Sequence, residues 1–114
     1  MELTINDKDY QFVYGYGFLK ELNKRNKITA QGITINAGIE AVATNLASGD
    51  IETLIDVLRI ANSTETPRVS EKALAEYVEE NGADDLFDEV FDELKKSAFT
   101  SKKVTKILEQ IEEA

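Results

Sequence analysis

Histidine, cysteine and tryptophan are absent from this 114-residue chain, and proline occurs once. Without cysteine there is no disulfide framework, no thiolate zinc site and no thiol nucleophile. Without histidine the commonest general base and the commonest transition-metal ligand are missing too. Positive charge is scarce: 13 Lys and Arg stand against 22 Asp and Glu, a formal net charge of −9. Phosphate binding needs a basic surface, so this balance argues against nucleic acid as a direct ligand. No run approaches the ~20 apolar residues of a membrane span. The opening Met1-Glu2-Leu3-Thr4-Ile5-Asn6-Asp7 has neither the basic region nor the apolar core of a signal peptide. The expectation is a soluble cytoplasmic protein without cofactor, metal site or membrane partner.

Apolar residues make up 42% of the chain, enough for one small core. Met1, Leu3 and Ile5 alternate with polar residues. The turn formers Asn6-Asp7-Lys8-Asp9 follow, and Tyr10-Gln11-Phe12-Val13-Tyr14 resumes the alternation. This pattern predicts a β-hairpin over about residues 1–14 with Tyr10, Phe12 and Tyr14 on one face. An isolated hairpin is marginal in water, so Phe12 is expected to be buried against the first helix near Phe18 and Leu22. That helix carries Phe18, Leu19 and Leu22 and ends near Asn26. Between Lys27 and Ala37, the run Ile33-Thr34-Ile35 fits either a brief extra strand or an extended connector.

Further helices follow from recurring apolar stripes. One bears Ile39, Val42, Ala43 and Leu46 and stops at Gly49; the next is capped by Asp50 and bears Ile51, Leu54, Ile55 and Leu58. Asn62 to Pro67 is a polar break. Ser70 caps a helix with Leu74, Tyr77 and Val78 that closes at Asn81-Gly82. Asp84 and Asp85 open a helix with Leu86, Phe87, Val90, Phe91 and Leu94, and Lys95 and Lys96 close it, both in keeping with its dipole. A last helix carries Val104, Ile107, Leu108 and Ile111. The expected fold is α+β and predominantly helical. It is a single domain over residues 1–114, with the hairpin followed by about six short helices over residues 16–114.

Candidate sites are few. Glu76, Glu79, Glu80, Asp84, Asp85, Asp88, Glu89, Asp92 and Glu93 form an acidic stretch without Lys or Arg. Their helical spacing lacks the alternation around a glycine that a calcium loop needs, which favours a solvated face. Two carboxylates alone can hydrolyse glycosides, but nothing marks out a pair. Tyr14-Gly15-Tyr16-Gly17 has no third glycine at dinucleotide spacing and no Gly-Lys-Ser/Thr, so turn geometry explains it better than phosphate binding. Lys20, Lys24, Arg25 and Lys27 form a small basic group interleaved with Glu21. The stripe Val104, Ile107, Leu108 and Ile111, with Phe87 and Phe91, is either core or a contact surface for a second copy or a partner helix.

The order of segments resembles the tail assembly chaperones of long-tailed, siphovirus-type bacteriophages of Gram-positive bacteria. Leu3-Thr4-Ile5-Asn6-Asp7-Lys8-Asp9-Tyr10-Gln11-Phe12 is similar to their "ITINGKEY"-like hairpin, with Asp7 in place of the usual glycine. Tyr14-Gly15-Tyr16-Gly17-Phe18-Leu19-Lys20-Glu21-Leu22 resembles their glycine-aromatic step into an "F-x-x-E-L-x-K"-like helix. The glycine-bounded helix pair, Pro67-Arg68 before the Ser70 cap, and Leu86 to Ser97 continue the likeness along nearly the whole chain. The resemblance implies a non-enzymatic protein that binds the tape measure protein in the host cytoplasm during tail tube assembly and is absent from the virion. It further implies a longer frameshifted form that reaches the major tail protein, and homo-oligomerisation remains open. A structural head–tail or tail component and an acidic DNA mimic are the competing classes.

Overall fold

A computed structural model describes residues 1–113. The element order is β1 (Glu2–Ile5), β2 (Lys8–Gln11), α1 (Tyr16–Arg25), β3 (Lys27–Ala30), β4 (Ile33–Asn36), α2 (Gly38–Ala47), α3 (Ile51–Asn62), α4 (Glu71–Asn81), α5 (Asp84–Lys96) and α6 (Ser101–Glu113). The expected hairpin followed by six helices is therefore the architecture of the chain. No helix among the described residues is long and apolar enough to cross a membrane.

In the first hairpin Ile5 lies opposite Lys8 and Leu3 opposite Tyr10. Asn6 (φ 53°) and Asp7 (φ 65°) form the two-residue connection. Positive φ at both central positions is the type I′ geometry that matches strand twist, and Asn and Asp tolerate it. The turn is thus tighter than the four-residue cluster in the sequence indicated. Met1 and Phe12 extend the ladder, with the Phe12 N–H donating to the Met1 carbonyl at 2.9 Å.

Tyr10, Phe12 and Tyr14 are all buried, as are Phe18 and Leu22. The bonds that seat the hairpin, however, run to α3. The Val13 N–H donates to the Ala61 carbonyl at 2.8 Å, and Asn62 Nδ2 donates to the Gln11 carbonyl at 2.9 Å. Helix α3 is the centre of the fold, packed by α1, α2, α4 and β2. It therefore buries more than one stripe: Leu54, Val57, Leu58, Ile60 and Ala61 are all buried, while Ile51 lies on the exposed side. Asn62, where the sequence placed the start of a polar break, is instead the buried last residue of α3.

Residues 27–36 form a second antiparallel hairpin, with Thr29 opposite Thr34 and a connection through Gln31 and Gly32. Strand β4 resolves the choice left open by the sequence in favour of a strand, and β3 is an addition to it. Ser70 caps α4 by accepting from the Ala73 N–H at 3.0 Å, and Gly49 follows α2 with φ 82°, both where the sequence placed a helix end. Where α1 meets α2 the backbones nearly touch. A Cβ on Gly38 would lie 2.9 Å from the Leu22 carbonyl oxygen. The final helix does not pack on its predecessor alone; α6 lies against both α2 and α5.

Candidate interaction surface

Helix α6 carries its apolar residues at i, i+3, i+4 and i+7, and the fold buries them to different depths. Val104 is fully buried, Ile107 and Leu108 are half-buried, and Ile111 is 41% exposed. On α5, Leu86, Val90 and Leu94 face the core, while Phe87 and Phe91 sit half-buried at its margin. The six residues singled out from the sequence thus divide. Val104 is part of the interior of the monomer, and the other five border solvent along α5 and α6.

Beside Ile107 a groove of about 480 Å³ opens between α2 and α6, lined by Glu40, Lys102, Lys103, Lys106, Ile107 and Gln110. Lys103 Nζ lies 3.2 Å from Glu40 Oε1, which leaves Lys102 and Lys106 as the groove's uncompensated charges. The groove thus gathers positive charge on an acidic protein.

The acidic residues of α4 and α5 lie mostly on exposed faces, and none of the α5 carboxylates joins an ion pair among the described residues. No cluster of three potential metal ligands occurs among the described residues. Glu21 pairs with Lys24 and Arg25 along α1, so two members of that basic group are engaged within their own helix. Gly15, in extended conformation, is the residue from which α1 starts.

A second exposed apolar patch lies outside the expected stripe. Val13, Tyr16 and Phe99 are all exposed, and the Tyr16 and Phe99 rings lie 5.9 Å apart. Ser97 Oγ donates to the Tyr14 carbonyl at 2.5 Å, so the α5–α6 connection is fastened to the exit of the first hairpin. The only signal in the sequence was an aromatic residue, Phe99, inside a polar connection. Beneath this patch the Tyr14 hydroxyl donates to Met1 Sδ at 3.3 Å. Burial, reinforced by Glu93 and Glu89, pushes its pKa above the ordinary tyrosine range.

These features bring together apolar and charged surface. Residues 2–109 match a family model described as phage tail assembly chaperone protein. Neither the curated proteins nor the solved structures give a match.

Proposed function

From the premise that the chain belongs to the phage tail assembly chaperone family, matched over residues 2–109, we propose that it binds the tape measure protein and keeps that chain soluble while the tail tube forms. It acts without catalysis, in the host cytoplasm, for a siphovirus-type phage of a Gram-positive host, and is not retained in the virion. A frameshifted longer form would carry the complex to the major tail protein.

The observation that supports this reading best is the partly open apolar margin of α5 and α6, formed by Phe87, Phe91, Ile107, Leu108 and Ile111, set in a strongly acidic surface. Apolar side chains at i, i+3 and i+4 offer anchor points to an amphipathic client helix. Net negative charge keeps the loaded complexes apart. Such a holdase needs no cavity or titrating group, only contact area and mutual repulsion.

Co-expression with tiled tape measure fragments tests the proposal. At least one fragment should be soluble and co-purify with the wild-type chain and be insoluble alone. Ile107→Asp together with Ile111→Asp should abolish capture while circular dichroism reports an intact helical fold, because neither side chain is fully buried. If no fragment is captured or solubilised, tape measure binding is refuted. If the double variant captures normally, the contact lies elsewhere. Mass spectrometry of purified virions should find no copies of the chain; stoichiometric copies would make it a structural component.

A further inference from the structure

We propose that a cleft between α1, α3 and the α3–α4 connection docks an acidic peptide segment of another protein and receives its carboxylates on arginine. The chain has only three arginines, Arg25, Arg59 and Arg68. They come from the end of α1, the last turn of α3 and the connection after it, yet all three line this one cleft of about 190 Å³. The ten lysines of the chain are more numerous, and none of them lines it. The fold therefore gathers every guanidinium group in one place. Ile60 and Val69, both buried, line the cleft between them.

The arginines are only loosely engaged within the molecule. Arg25 Nε lies 3.7 Å from Glu21 Oε1, and Arg59 Nη1 lies 3.5 Å from Glu71 Oε2. Both contacts are longer than the ~2.7–2.9 Å of a charge-assisted hydrogen bond, and Glu21 is shared with Lys24. Arg68 donates from Nε to the Glu65 carbonyl at 2.9 Å, which orients the side chain and leaves its two terminal nitrogens without a partner among the described residues. Within the lining, three positive charges face one carboxylate, Glu21. A guanidinium group presents its donors as a planar fork that matches a carboxylate, and the apolar floor suits an aliphatic side chain beside that carboxylate. A free phosphate would leave the floor unmet. A nucleic acid strand would have to run on across a surface of net charge −9, whereas a short acidic segment needs favourable charge only within the cleft. The site goes beyond tape measure capture, and it shares no residue with the α5–α6 margin.

The test uses the purified chain and synthetic ligands, so its failure is separable from failure of tape measure binding. The probe is a short acetylated and amidated peptide that alternates glutamate with leucine. The same peptide with glutamine for glutamate is its control, and inorganic phosphate stands for the free anion. With only three arginines in the chain, their Nε–H signals in heteronuclear NMR spectra report the cleft and nothing else. The acidic peptide should bind one to one with a Kd below about 1 mM, move all three signals, and bind more weakly as salt is added. Arg59→Gln and Arg68→Gln should each weaken binding at least about tenfold, the scale of a lost hydrogen bond to a charged group. Arg68→Lys should not restore it, because an ammonium group has no fork. Both residues are exposed, and circular dichroism should report an unchanged fold. Lys102→Gln with Lys106→Gln removes two positive charges elsewhere and should leave binding nearly as it was. An equal loss in that lysine variant would mean non-specific attraction and overturns the proposal. So does a glutamine control that binds as well, a phosphate that moves the arginine signals where the peptide does not, or the absence of saturable binding.

Discussion

Replacing Asn62 should loosen three segments at once. Its side chain is 1% exposed. It donates from Nδ2 to the carbonyls of Gln11 (2.9 Å) and Pro67 (3.1 Å), and its Oδ1 accepts from the Val69 N–H (2.7 Å). Asn62→Ala leaves the buried Val69 amide without a partner, a penalty of about 1–3 kcal/mol. Gln11 and Pro67 belong to exposed residues, so their carbonyls can turn to water and add about 1 kcal/mol between them. The sum is about 2–4 kcal/mol of the ~5–15 kcal/mol such a domain possesses. At about 4 °C per kcal/mol for a domain of this size, thermal unfolding followed by circular dichroism should shift down by about 8–16 °C. Asn62→Asp sharpens the test. It keeps an acceptor for Val69 but directs a carboxylate at two carbonyls, so at neutral pH it should be worse than alanine. Burial should raise that carboxyl's folded pKa, so its stability should be best below about pH 4 and fall as the pH rises. A shift under about 3 °C for alanine, or an aspartate variant as stable as alanine at neutral pH, would refute the assigned tether.

Gly38→Ala should destabilise by about 1–3 kcal/mol, read as a lower urea midpoint, because the added methyl meets the Leu22 backbone of α1, which cannot swing aside as the Asn23 side chain beside it can. An unchanged midpoint would mean that α1 and α2 can separate freely. Tyr14 has its pKa raised by burial and then by Glu93 and Glu89, so its stabilising contribution is complete below about pH 10 and is lost as the pH climbs further. Tyr14→Phe should lose less stability than the wild type between neutral and strongly alkaline pH, and parallel titrations of the two proteins would contradict this.

Local signals made much of the chain legible. Leu3 and Ile5 alternate, Asn6-Asp7 can adopt positive φ, Ser70 has a partner three residues on, and Gly49 follows a stripe. Each feature is decided within a few residues, where sequence carries the cause. Periodicity shows one stripe on α3, whereas a helix packed on several sides buries more than one face, and its neighbours come from distant parts of the chain. The hairpin over Lys27–Asn36 was only half seen. Its strands have four residues each, and Gln31-Gly32 is a weaker turn signal than Asn-Gly or Asp-Gly. Asn62 reads as the start of a polar break because its three partners are brought to it by tertiary packing. The stripe Val104, Ile107, Leu108 and Ile111 looked uniform because periodicity fixes a face, whereas the depth of each residue depends on where α2 and α5 end beside it.

The docking of α6 onto α2 imposes a delay on synthesis. Helix α2 ends at Ala47 and α6 begins at Ser101, so the ribosome adds more than fifty residues between making a surface and making its cover. At ~5–20 residues per second this takes about 3–10 s, longer than helix formation or collapse requires. For that interval the nascent chaperone exposes part of its own interior. A member of a chaperone family thus passes, at every round of translation, through a stage in which part of its own interior is uncovered.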